Sequence, residues 1–89
     1  MKKQINYYVV IEFYRNSPII WDFSYSLKRA VKKAKEEYRC WAGYDAKSVD
    51  GYVYIINKEL FQKIKKSGHN KKLAKEAVNI GSLVDVVCL

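Results

Sequence analysis

Across 89 residues, 17 Lys and Arg stand against 9 Asp and Glu, a net charge of +8, while 49% of the chain is hydrophobic. A chain this short buries about 60 to 65% of its unfolded surface, enough for one small core and too little for a separate catalytic lobe. The apolar content argues against disorder, no run approaches the roughly 18 apolar residues of a membrane span, and the N-terminus MKKQINYYVV lacks a small-residue cleavage site, so one soluble cytoplasmic domain over residues 1–89 is expected.

Ile5 to Tyr14 is rich in β-branched and aromatic residues and reads as a strand. Ile5, Tyr7, Val9, Ile11 and Phe13 form its core face; Asn6, Tyr8, Val10, Glu12 and Tyr14 form the other. Arg15-Asn16-Ser17-Pro18 supplies turn chemistry before Ile19-Ile20-Trp21-Asp22-Phe23 extends again, so the spacing predicts a hairpin with a short edge strand. Exposed on such an edge, Trp21 and Phe23 would favour a homodimer paired through residues 19–23.

A helix is expected from Ser26 to Ala42, where Leu27, Ala30, Val31, Ala34, Tyr38 and Trp41 recur at spacings of 3 and 4 and make one apolar stripe. Ser24 or Ser26 can cap its start, and Gly43 suits its stop. On the outer surface Lys28, Arg29, Lys32, Lys33, Lys35 and Arg39 outnumber Glu36 and Glu37. Their order runs against the helix dipole, at about 0.3 to 1 kcal/mol per misplaced charge at low salt, which hints at an external reason for the charge.

Tyr44 to Asp50 is a polar loop, and Gly51 to Asn57 a second clear strand with Val53 and Ile55 facing one way and Tyr52, Tyr54 and Ile56 the other. Lys58 to Lys66 is helical with Leu60, Phe61 and Ile64 inward; Ser67-Gly68-His69-Asn70 breaks it. Lys71 to Asn79 resumes the helix behind an Asn70 cap, with Gly81 as its stop. Ser82 to Cys88 closes the chain as a strand with Val84, Val86 and Cys88 on one face and Leu83, Asp85 and Val87 on the other. The order β-β-α-β-α(α)-β implies a small α+β domain: a mostly antiparallel four-stranded sheet with the helices packed on one face.

The catalytic inventory is poor, so no enzyme is expected. His69 is the only histidine and sits in a loop, leaving no zinc site and no activated nucleophile. Glu36 and Glu37 diverge on their helix, and Asp45 and Asp50 are ordinary loop acids. Cys40 lies near a helix C-terminus, the wrong end of the dipole for lowering a thiol pKa, and reads as a plain, partly buried thiol; no disulfide to Cys88 is expected. Gly43, Gly51, Gly68 and Gly81 are isolated and match no phosphate-binding loop, and no metal or cofactor is implied.

The basic charge is more informative. Thirteen of the 17 bases fall in two helical segments: the six on the first helix, and Lys58, Lys63, Lys65, Lys66, Lys71, Lys72 and Lys75 on the later pair. On one side of a sheet they would form a broad cationic surface for an acidic partner, most simply RNA or DNA phosphates. Fourteen of the 17 are Lys, which meets phosphate as a point charge, so low sequence specificity is expected. A solvated lysine-rich surface is the plainer alternative. Tyr8, Tyr14, Tyr52 and Tyr54 would share the sheet surface opposite the helices, where bases could stack; β-propensity alone also accounts for them.

Gly51-Tyr52-Val53-Tyr54-Ile55 resembles the central strand motif of RNA recognition motif domains, in which aromatics two apart follow a glycine. The resemblance covers those five residues only. Asp50 replaces the family's base, Asn57 its aromatic, and the element order differs, so membership is not claimed. Leu73-Ala74-Lys75-Glu76-Ala77 resembles the first helix of helix-turn-helix repressors, but Val78 replaces the turn glycine and Ser82 to Leu89 offers neither base nor amide to read a groove. Three functions therefore stand as expectations. The first is a non-enzymatic nucleic-acid-binding module. The second is a small phage- or plasmid-type inhibitor or adaptor that docks on a host protein or nucleoprotein complex, such as a CRISPR effector. The third is a basic ribonuclease toxin working with Lys, Arg and Tyr alone, whose activity would be abolished by changing Arg15 or Arg39.

Overall fold

The computed structural model describes residues 5–43, 47–68 and 70–89. A hairpin of β1 (Tyr7–Tyr14) and β2 (Ser17–Ser24) leads into α1 (Leu27–Ala42), followed by β3 (Asp50–Ile56), α2 (Lys58–Ser67), α3 (Lys71–Ile80) and β4 (Ser82–Cys88). This is the expected element order. The strands form one antiparallel sheet in the order β2-β1-β3-β4, which establishes the α+β class.

Local chemistry sets the boundaries. Arg15 and Asn16 both take left-handed backbone, φ 52° and 64°, the two-residue turn whose twist matches flanking antiparallel strands. The hairpin is thus tighter than a four-residue turn, and Pro18 lies inside β2, where an edge position tolerates its missing N–H. Ser26 caps α1 by accepting from the Arg29 amide at 3.4 Å, and Asn70 caps α3 by accepting from the Lys72 amide at 2.8 Å. Asn57, expected to end the third strand, instead caps α2, its side chain accepting from the Leu60 amide at 2.8 Å.

The helices do not share one face of the sheet, as the sequence reading expected. α2 and α3 cover the face that carries Val9, Ile11, Ile20, Tyr54 and Ile56, burying Leu60, Phe61, Ile64, Ala74 and Ala77 against them. On the opposite face α1 lays Ala30, Ala34 and Tyr38 over Val10 and Val53, with Leu89 closing the cluster. Val10 and Val53 are both 0% exposed, so the face of β1 opposite its expected core face also carries a buried cluster. The small Ala30 and Ala34 let α1 lie close to the strands, and the Tyr38 hydroxyl donates to the Lys47 carbonyl at 2.6 Å across the loop.

Coverage is uneven. α1 and α3 both lean over β2, whereas β4 is exposed along nearly its whole length, with Leu83, Val84 and Val86 open to solvent. Each edge strand carries one irregularity: the pairing skips Trp21 in β2 and Val84 in β4. Such a bulge re-aims side chains, and in β2 it turns Trp21 and Asp22 together toward α1. Among the described residues no helix is long and apolar enough to cross a membrane.

Gly81 joins α3 to β4 where nothing larger fits. A Cβ there would run into the Ala77 carbonyl oxygen and stand 3.0 Å from the Ile55 carbonyl oxygen, both rigid backbone. Gly81→Ala should therefore destabilise the protein by about 1 to 3 kcal/mol through overpacking, read as a lowered midpoint in urea at unchanged slope.

Candidate functional site

All thirteen helical bases are exposed, but they lie on two opposite sides of the molecule. The single cationic surface expected from the sequence does not form, because α1 and the α2–α3 pair cover opposite sheet faces. The helical period then divides α1's own outer surface. Lys28, Lys32, Lys35 and Arg39, spaced 4, 3 and 4 apart, make one basic ridge. Lys33, Glu36, Glu37, Cys40 and Trp41 lie on the other flank, where they line a groove.

The three helices differ in how the dipole treats their charges. α1 has no acid in its first turn, where Lys28 and Arg29 stand. α3 likewise begins on Lys71 and Lys72 with no acid. In α2, Glu59 occupies the first turn and Lys65 and Lys66 the last, so the helix's own electrostatics accounts for those bases. The external reason suggested by charge order therefore applies to α1 and the start of α3 alone.

The four tyrosines proposed for stacking do not share a surface. Cross-strand register puts Tyr52 and Tyr54 on the α2–α3 face, opposite Ile11 and Val9, and puts Tyr8 and Tyr14 on the α1 face. Tyr54 is 8% exposed and belongs to the core; burial, and secondarily the neighbouring Tyr52, hold its phenol above the usual tyrosine range. Tyr52 is half-buried with its ring 5.2 Å from that of Phe13. Tyr8 is half-buried against the α1 cluster. Only Tyr14 is open, with the Arg15 guanidinium 5.3 Å above its ring. These four tyrosines therefore form no open platform on either face.

The groove beside α1 was not foreseen. It has a volume of about 1250 Å³ and runs between the second half of α1 and the hairpin. Trp21, turned inward by its bulge, meets Tyr38 edge-on at 5.6 Å and Trp41 at 6.0 Å. Its indole N–H donates to Glu12 Oε1 at 2.8 Å. Trp41, expected to extend the buried stripe, is instead 78% exposed. Glu12, Asp22, Glu36 and Glu37 all line this space, so four of the chain's nine acids gather there. Glu12 faces α1 by the regular alternation of β1, while the bulge sets Trp21 and Asp22 together on that face, and a β-bulge leaves little trace in the local sequence.

Other expected features fall elsewhere. Trp21 and Phe23 are half-buried and Ile20 is 1% exposed, so the residue 19–23 edge offers no exposed apolar strip; the exposed apolar edge is β4. Cys40 and Cys88 are free thiols, and Cys40 is exposed rather than partly buried. Arg15 occupies the hairpin turn and Arg39 the last turn of α1. His69 and Asp45 lie outside the described residues, as does the start of the 44–50 loop. Compared with known proteins, the chain matches no family model, no curated protein and no solved structure.

Proposed function

We propose that this protein is a non-enzymatic module that binds nucleic-acid phosphates through the basic ridge of α1. The observation that carries this reading is the alignment of Lys28, Lys32, Lys35 and Arg39 along one side of a helix whose dipole opposes charge at its start. The eleven helical steps from Lys28 to Arg39 extend about 16 Å, and a duplex presents one phosphate charge per about 1.7 Å of its axis, so the ridge can meet several phosphates together. Three of the four bases are Lys, which favours backbone attraction over base reading. The free, exposed thiols Cys40 and Cys88 fit a reducing, cytoplasmic setting.

The test is duplex binding across a KCl series. Lys28→Gln/Lys32→Gln/Lys35→Gln should reduce the slope of log affinity against log salt by about 2 to 3. Lys63→Gln/Lys65→Gln/Lys66→Gln on α2 should change it by less than about 1. All three lysines are exposed and glutamine is about as good a helix former as lysine, so loss of binding would not reflect unfolding. An absence of binding at low salt eliminates the proposal. It would leave a second reading, docking of a protein partner by strand addition, which the open apolar edge of β4 favours.

A further inference from the structure

We propose that the groove between α1 and the hairpin receives an arginine side chain carried on an exposed segment of a partner polypeptide. This is a different flank of α1 from the phosphate-binding ridge and does not depend on it. The groove joins two features that each favour a guanidinium. One of its walls is aromatic: the Trp21 and Trp41 rings meet edge to face with centroids 6.0 Å apart, and Tyr38 meets Trp21 edge-on at 5.6 Å. Its rim and floor are acidic, although the protein as a whole carries +8.

The acids on the floor are the sharper observation. Glu12 and Asp22 are both half-buried beside the Trp21 indole. The Trp21 indole N–H is the hydrogen-bond donor to Glu12, and the Phe23 amide donates to Asp22 Oδ1 at 2.7 Å. Among the described residues neither carboxylate has a cationic partner in a chain with 17 bases. A carboxylate can accept about four hydrogen bonds, so capacity remains on both. Among the described residues Lys33 is the one base on the lining, beside Glu36 and Glu37 on the same helix, and Glu37 is already engaged within the molecule.

Guanidinium suits this lining better than ammonium. It is planar and weakly hydrated, stacks on an indole face and pairs with a carboxylate through two parallel hydrogen bonds. Size indicates the source. At about 1250 Å³ the groove exceeds the roughly 300 to 1,000 Å³ that encloses a drug-sized molecule, and it is open on one side, which admits an extended segment with one anchored side chain.

Both tryptophans of the chain line the groove, so intrinsic fluorescence reports its occupation. The probe is a blocked alanine–glycine pentapeptide bearing one arginine, titrated into the full chain. A saturable change in tryptophan emission is expected, and the same peptide with neutral citrulline in place of arginine should fail to produce it. Glu12→Gln/Glu36→Gln should weaken binding about tenfold, the loss expected for charge-assisted bonds. Glu12→Gln keeps an acceptor for the Trp21 indole, and Glu36→Gln alone, on the exposed helix surface, should weaken binding about threefold without touching the fold. The substitutions that remove the basic ridge should leave the peptide response unchanged, so failure of either proposal is distinguishable from failure of the other. Free arginine amide binding as tightly as the peptide would overturn the polypeptide source. An equal response to citrulline, or unaltered binding by Glu12→Gln/Glu36→Gln, would overturn the electrostatic basis, and no response up to millimolar peptide would overturn the site.

Discussion

Val10→Asp should unfold the protein, whereas Val86→Asp should be tolerated. Both replace an apolar strand residue by the same acid, so intrinsic β-propensity, which spans about 1 kcal/mol, cannot separate them. Burial can. Val10 is 0% exposed beneath Ala30 and Ala34, and its neighbours in register are Val53 on β3 and Asp22 on β2. A carboxylate there loses its water, finds no donor and stands beside an existing acid. Desolvation amounts to several kcal/mol for an effective buried ion, and forfeiting the valine's burial adds about 1.5 to 3 kcal/mol. A domain of this length holds about 4 to 13 kcal/mol in total, so the native state should be largely lost. Val86, 50% exposed on the uncovered edge, keeps its hydration and should lose no more than about 1 kcal/mol. Far-ultraviolet circular dichroism with thermal melts of the two variants decides the matter. Equal tolerance at both positions would mean that α1 does not seal its face of the sheet.

The signal for that second buried face was present in the chain. β1 runs Tyr7-Tyr8-Val9-Val10-Ile11 without a polar residue, and β3 runs Tyr52-Val53-Tyr54-Ile55-Ile56. Unbroken apolar runs mark strands covered on both sides, while one-sided strands alternate. Sorting each run into two alternating faces hides this, because parity can be assigned to any run. The elements themselves were legible, since Ser26 and Asn70 sit at helix starts and Gly43 and Gly81 follow helix ends. Beyond that, local signals failed where long-range contacts decide. Trp41 has the right spacing for the buried stripe yet is exposed. Leu89 follows the last strand and carries no periodic signal, yet it is 6% exposed, its amide bonded to the Val49 carbonyl and its side chain filling the space beside Gly51. The basic ridge was present in the helical spacing, but the groove beside it required the bulge that brings Trp21 and Asp22 under α1.

On the opposite face the largest single loss should come from Phe61→Ala, and its comparison with Phe61→Leu separates two contributions. Phe61 is 1% exposed, and its ring meets those of Tyr7 at 4.9 Å, Tyr25 at 5.0 Å and Phe23 at 5.6 Å. These partners come from β1, the β2–α1 junction and β2, so one side chain of α2 ties the helix layer to the hairpin. Truncation to alanine leaves a cavity that neighbours on three separate elements cannot all move to fill, and the expected loss is about 3 to 5 kcal/mol. At about 4 to 8 °C per kcal/mol for a domain of this size, the melting temperature should fall by more than about 12 °C. Leucine keeps most of the buried apolar volume but abolishes the ring geometry, which adds about 0.5 to 1.5 kcal/mol per aromatic pair beyond burial. Because Tyr25 is exposed and Phe23 half-buried, two of the three pairs have freedom to adjust, and Phe61→Leu should lose only about 1 to 2 kcal/mol. Urea denaturation of the two variants provides the comparison. A leucine variant as unstable as the alanine variant would show that α2 is held by directed ring contacts rather than by the volume it buries.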